Sequence, residues 1–178
     1  MTDDELHGRV VEFVARVTGV PTIQAYGSGP APAGIYAMVN FTGSSAVRDH
    51  EQVIEYTPSR DDEDPPVLDS GGDLEYPPIT ATPVIEREWR FSVHAYGGAR
   101  PSDVLRPIES AAKLSEILEP LFPDVVLHDV SQVRYVPEWI NNAWEPRAQV
   151  DIIMRGLTRD GFVINVVDEI EPFVVTRA

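Results

Sequence analysis

Trp144-Glu145-Pro146-Arg147-Ala148-Gln149-Val150-Asp151-Ile152 is the stretch that decides the fold, because from Pro146 onward apolar and polar residues alternate strictly. Successive side chains of a strand point to opposite faces, so Pro146, Ala148, Val150, Ile152 and Met154 share one face and Arg147, Gln149 and Asp151 the other. The first row is a candidate core. The second gathers a guanidinium, an amide and a carboxylate, and is the face on which function is to be sought.

Working outward, the same period returns at 87–96, where Trp89, Phe91, Val93 and Ala95 oppose Arg90, Ser92, His94 and Tyr96 until Gly97-Gly98 ends the strand. At 35–41 it sets Ile35, Ala37, Val39 and Phe41 against Tyr36, Met38 and Asn40. A Gly-Ser turn then leads to a strand from about Glu51 to Thr57, and these two strands are expected to form an antiparallel pair. Ile23 to Tyr26 predicts a short strand and Val125 to Val136 an extended stretch, followed by a connecting turn from Pro137 to Asn142. The opening strand is expected to run from Pro146 to Leu157, and an Arg159-Asp160-Gly161 turn leads to a last strand from Phe162 to Val167.

Helical spacing marks two other regions. Thr2 and Glu5 form a capping-box pair, and Leu6, Val10, Phe13, Val14 and Val17 follow at helical intervals until Gly19 and Pro21 stop the pattern. Ser102 is expected to cap a second helical region whose stripe is Val104, Ile108, Ala111 and Ala112, then Ile117, Leu118 and Leu121, a broken helix whose first turn Pro107 disturbs and which ends before Pro123. Helix, strands, helix, strands, with links of hairpin length, predict an α+β fold in which a mainly antiparallel sheet packs against two helical regions. A chain of 178 residues with 43% hydrophobic content suits a single domain over 1–178, able to bury roughly 70% of its unfolded surface.

Two segments resist regular structure. Gly27 to Gly34, rich in Gly and Pro, reads as an exposed loop, and Pro58 to Pro83, with Asp61, Asp62, Glu63, Asp64, Asp69 and Asp73, as a long acidic one. The acids lack the D-x-D-x-D-G spacing of a calcium loop, so a solvated loop is the simpler reading.

Charge and composition narrow the functional classes. A net charge of −15 and pI near 4.5 oppose a role in gripping nucleic-acid phosphates. There are no cysteines, hence no disulfides, thiolate zinc sites or Cys nucleophiles. The acidic start Thr2-Asp3-Asp4-Glu5 is unlike a signal peptide, and no apolar run approaches the roughly 20 residues of a membrane span, so a soluble protein without membrane partners is expected.

Catalytic and cofactor constellations are weak. His7, His50, His94 and His128 are scattered, with no spacing that would set two metal ligands on one helix face. Ser92 and His94 share a face, but two positions along a strand separate side chains by roughly 7 Å. The Gly27-Ser28-Gly29 string lacks the third glycine and following helix of a dinucleotide site. No catalytic, cofactor or metal residue is therefore expected.

Candidate contact residues are clearer. Trp144 and Arg147 are of the types that anchor interfaces, although Arg147 could equally pair with Asp151 or another carboxylate on its own sheet. Pro30 and Pro32 would stiffen their loop for presentation to a partner. Phe173 and Val174 lie in an apolar tail at 171–178 that must dock on its own domain or on a neighbour.

In order along the chain, Gln24-Ala25-Tyr26, Gly29-Pro30-Ala31-Pro32-Ala33-Gly34, Tyr36 with Val39-Asn40, the strand ending Ala95-Tyr96-Gly97, and Trp144 to Asp151 resemble the phage neck terminator family of tailed bacteriophages. The resemblance implies a structural virion protein at the head-to-tail junction, without enzyme activity and without a cofactor. It implies a homo-oligomeric, commonly hexameric ring that terminates the tail and meets the connector and the tail tube protein, with DNA passing through its bore. Such a protein is assembled in the host bacterial cytoplasm, and Trp144, Arg147, Gln149, Asp151, Pro30, Pro32, Tyr36, Phe173 and Val174 become its candidate interface. The long acidic segment and the tail from Phe173 to Ala178 depart from the family pattern. Two other readings compete: an acidic DNA mimic or host-protein-binding module, which would need a regular acidic face, and a small hydrolase using His94 with a nearby carboxylate.

Overall fold

The computed structural model describes residues 2–27, 29–58, 67–68, 74–75, 79–140 and 142–164. In chain order these give α1 (Asp3–Thr18), β1 (Thr22–Gln24), β2 (Tyr36–Ala46), β3 (Val53–Pro58), β4 (Val67–Leu68), β5 (Leu74–Glu75), β6 (Ile79–Tyr96), α2 (Pro101–Ala111) and α3 (Ser115–Leu118). There follow β7 (Val125–Val130), β8 (Arg134–Tyr135), β9 (Glu138–Ile140), β10 (Ala143–Glu145), β11 (Arg147–Arg159) and β12 (Phe162–Ile164). The fold is α+β with a mostly antiparallel sheet, as the alternating rows require. Two compact units share the chain: the larger draws on Met1–Asp49 and Glu86–Thr158, the smaller on His50–Ile85 and the chain beyond Thr158.

In the larger unit the strand order is β1-β2-β6-β11-β7, with β8 also paired to β11. β1 runs parallel to β2; β2 runs antiparallel to β6, from Tyr36 opposite Tyr96 to Ala46 opposite Arg87. Side-chain bonds join Glu88 to Arg155, Ser92 to Asp151 and His94 to Arg147, so numbers rise along β6 as they fall along β11. That is the mark of an antiparallel pair.

One face of this sheet forms the core. Ala37 and Val39 of β2, Trp89, Phe91, Val93 and Ala95 of β6, and Ala148, Val150, Ile152 and Met154 of β11 cluster with Leu6, Val10, Phe13 and Val14 of α1 and Leu105 and Ile108 of α2. Each fully buried side chain of this size contributes roughly 1.5–3 kcal/mol, so the shared apolar face is what holds helices to sheet. Both capping-box bonds are present at the start of α1, from Thr2 N to Glu5 Oε2 (2.8 Å) and from Glu5 N to Thr2 Oγ1 (3.2 Å). Trp89, the largest fully buried side chain, donates its ring N–H to Asp3 Oδ1 at 2.7 Å and so ties the centre of the sheet to the first helical turn.

Several expected boundaries and partners are corrected. Gly43-Ser44-Ser45 is no turn: β2 continues through a bulge between Phe41 and Gly43, where Gly43 takes φ 144°, and runs on along β6 to Ala46. β2 therefore does not pair with β3, which instead pairs with the first part of β6. Ser102 does not cap α2; Pro101 occupies the first turn, where its missing N–H costs nothing, and Pro107 is carried inside a continuous helix. The break falls later, between α2 and α3. The predicted turn at 137–142 is largely a hairpin, with β9 and β10 on either side of 141–142.

In the smaller unit β3 and β12 both pair antiparallel with β6, Val53 facing Val84 and Phe162 facing Ala81, and Ala81 and Val84 are buried. β4 pairs with β5. The ends of the segment expected to be an acidic loop, Pro58 and 79–83, are thus strand. Its acidic residues Asp61–Asp64, Asp69 and Asp73 lie outside the described residues, as does the expected continuation of the last strand to Val167.

Asp3→Ala removes the acceptor of the buried Trp89 N–H, and leaving such a donor unpaired costs about 1–3 kcal/mol. Urea unfolding should show that loss, and a smaller one for Asp3→Asn, which keeps an acceptor.

Candidate functional site

On the face opposite the core, β6 and β11 lay down facing rows of polar side chains. Glu88 is buried, yet its two carboxylate oxygens each take an arginine: Oε2 accepts from Arg155 Nη2 and Nε (2.9 and 3.1 Å), and Oε1 from Arg90 Nη2 and Nε (2.8 and 2.9 Å). Those bonds, Arg155's above all, hold the Glu88 carboxyl below the usual range.

One step along, Ser92 donates its hydroxyl to Asp151 Oδ1 (2.7 Å) and accepts from Gln149 Nε2 (2.9 Å), which also reaches Asp151 Oδ1 (3.0 Å). Arg134 of β8 binds the other Asp151 oxygen, and Ser131 Oγ accepts the Asp151 backbone N–H (2.8 Å). Burial pushes the Asp151 carboxyl up, but the bonds from Gln149 and Ser92 and the charge of Arg134 outweigh it and leave the group below its ordinary value.

Arg147 closes the row. Its Nη2 and Nε point at His94 Nδ1 (2.9 and 3.3 Å), its Nη1 donates to Glu138 Oε2 (2.7 Å), and its guanidinium carbon lies 5.4 Å from the Tyr96 ring centroid. Tyr36 stacks on Tyr96 with centroids 5.1 Å apart. An arginine has no lone pair to give, so His94 Nδ1 must be the acceptor and the ring is neutral, with its proton on Nε2. Burial and, after it, the neighbouring Arg147 charge lower the His94 pKa from 6.5 to about 4.

This wiring is not that of a Ser–His nucleophile and base. The Ser92 hydroxyl donates to Asp151, and the His94 lone pair faces Arg147, so His94 is not placed as a base for the hydroxyl. Among the described residues no cluster of His, Asp and Glu is built to hold a metal ion.

The exposed part of the site is the β9–β10 hairpin. Trp139 and Trp144 sit directly opposite each other, with centroids 5.2 Å apart and rings at 70°, and are 55% and 65% exposed. The Arg147–Glu138 bond ties the hairpin to β11. Trp139 was not among the expected contact residues. The signal for it is the mirrored string Glu138-Trp139-Ile140-Asn141-Asn142-Ala143-Trp144-Glu145, in which an Asn pair, a residue type tolerant of positive φ, sits between matched strands; Asn142 takes φ 61°.

Of the residues singled out from sequence, Arg147, Gln149, Asp151 and, through Tyr96, Tyr36 are brought to one sheet face, with Trp144 beside them on the hairpin. Pro30 is exposed and Pro32 half-buried in the link between β1 and β2. Phe173 and Val174 lie outside the described residues.

A family model described as phage neck terminator protein matches residues 4–176. The chain belongs to the phage neck terminator family. No curated protein matches it. Family membership makes it a structural protein of the phage virion neck that works with other neck and tail proteins, and a sheet face whose polar groups bond to one another accords with a structural role. Among the described residues no helix is long and apolar enough to cross a membrane.

The depressed His94 pKa has a definite sign. As pH falls, the unfolded chain takes up the imidazole proton near 6.5 and the folded chain only near 4, so stability is undiminished above 6.5 and declines through that window. Urea midpoints measured on either side of it should differ for the natural chain and differ less for His94→Gln; equal pH dependence in the two would contradict the assignment.

Proposed function

We propose that this neck protein assembles as a hexameric ring at the head-to-tail junction, terminating the tail and joining the connector to the tail tube while DNA passes through its bore. In this reading 1–178 acts as one structural module, without catalysis or cofactor, put together in the host bacterial cytoplasm. The observation that carries it is the exposed Trp139–Trp144 pair, held by Arg147 on a chain of this family. Exposed paired indoles are unfavourable in a solitary chain and are the side chains that most often dominate protein interfaces.

The charge supports the same reading. Copies carrying −15 each, arranged about an axis, surround the channel with negative potential, and like charge keeps the duplex from adhering to the wall. Pro30 and Pro32, exposed and half-buried, and the apolar Phe173 and Val174 join Trp144 as proposed contacts to neighbouring subunits or flanking proteins. Arg147, Gln149 and Asp151 contribute by fixing the surface from which the hairpin projects.

Native mass spectrometry and negative-stain images of the full chain, alone and with its connector or tail tube partner, test the ring; only monomers under both conditions would sink it. Trp144→Ala should weaken assembly by more than about 2 kcal/mol, on the order of thirtyfold. The same variant should change urea stability by no more than about 1.5 kcal/mol, the scale of a lost aromatic pair.

A further inference from the structure

Within the larger unit a second feature lacks a partner. α1, α2 and α3 form a groove of about 660 Å³, walled by Val17, Ala111, Leu114 and Ile117, with Arg16, Arg106 and Asp103 also on its lining. That volume falls within the roughly 300–1,000 Å³ of small-molecule pockets, room enough for an aromatic side chain. Leu114 is 48% exposed there. Arg16 has no ion pair among the described residues, and Arg106 has only the exposed Asp103 at 3.0 Å.

The groove belongs to the helical layer on the core side of the sheet, whereas the tryptophan hairpin is anchored by Arg147 on the polar side. Knob and hole are therefore different surfaces of one unit. Such a contact is heterologous, and repeated copies close into a ring when the rotation allows.

Charge favours pairing these two surfaces. The chain has 29 acidic and 14 basic residues, so most of its surface repels a second copy. The groove lining holds Arg16 and Arg106 with one acid, Asp103, which pairs with Arg106, so Arg16 is its excess positive charge. The hairpin carries Glu138, bound to Arg147, and directly opposite it Glu145, which has no ion pair among the described residues and is its excess negative charge. An apolar knob with acidic flanks fits an apolar hole with a basic lining.

We propose that the Trp139–Trp144 hairpin of one copy seats in the α1–α2–α3 groove of the next, and that this knob-and-hole contact closes the ring. The inference rests on the ring reading above, but the two can fail separately.

The test uses two full-length variants, each changed only at exposed positions: Trp139→Ala with Trp144→Ala, which removes the knob, and Leu114→Asp, which spoils the hole. Circular dichroism establishes that both fold. Each alone should lose the ring and run as a monomer in native mass spectrometry. Mixed in equal amounts they should form a 1:1 dimer, because one retains a sound hole and the other a sound knob, and no larger species should appear. Arg16→Glu and Glu145→Arg should each weaken the ring, and the two together in one chain should restore it.

Rings that persist in either variant, or a mixture that yields no dimer, would overturn the knob-and-hole pairing while leaving the ring itself standing. Rings lost in the tryptophan variant but kept in Leu114→Asp would place the hairpin on a different surface of the neighbouring copy, and rings kept in the tryptophan variant would free the hairpin for a connector or tail protein. A natural chain that forms no ring with either partner present would remove both readings together.

Discussion

The register between β6 and β11 is the constraint on which the rest of the larger unit depends. Each strand carries an apolar row that must face α1 and α2, and a slip of one residue would turn either row toward the other side of the sheet. With Trp89, Phe91, Val93 and Ala95 set against Ala148, Val150, Ile152 and Met154, the positions of the opposite rows follow. Glu88 then meets Arg155, Ser92 meets Asp151, and His94 meets Arg147. Every partner is complementary, so the polar face selects the same register as the core, and a shifted pairing would leave buried Glu88, Ser92 and His94 without their bonds.

That agreement consumes groups that would otherwise suggest chemistry. A serine and a histidine on one strand invite the idea of a nucleophile and its base, but the strand beyond them decides their roles. Asp151 accepts the serine's hydrogen bond, and Arg147, permanently charged, both occupies the imidazole lone pair and opposes its protonation. What remains is a rigid network, and rigidity has a use. Arg147 extends from it to Glu138, so the tryptophan hairpin projects from an ordered base and loses less conformational freedom when it meets a partner.

The elements legible in the sequence are those whose partners are local or whose burial is one-sided. α1 is announced by its capping box and ended by Gly19 in a left-handed conformation, and the alternation of β6 and β11 follows from a sheet with one dry face. Pairing was harder to read, because β2 and β3 are near in sequence yet both belong to β6, and nothing local marks so distant a partner. At 137–142 Pro137 and the paired asparagines read as a turn and hide β9 within it, so Trp139 does not stand out as its mirror image Trp144 does. Arg147, Gln149 and Asp151 stand out from the alternation of their own strand; their partners His94, Glu138 and Ser92 need the fold, since they arrive from other strands.

The acidity of the chain acts in two directions in the proposed ring. It keeps a sliding duplex from binding the bore, yet it also drives subunits apart, and both effects reach about as far as the Debye length, roughly 8 Å at physiological ionic strength. A lateral contact must therefore gain its free energy at shorter range than the repulsion it opposes. Buried aromatic area does so, because it depends on water expelled at contact and not on net charge. A few opposed charges at its edge then set which surfaces meet, which is the division of labour expected of indoles flanked by glutamates and a groove lined by arginines. Apolar area without those charges would bind many surfaces, and charge alone could not outweigh −15 on each copy.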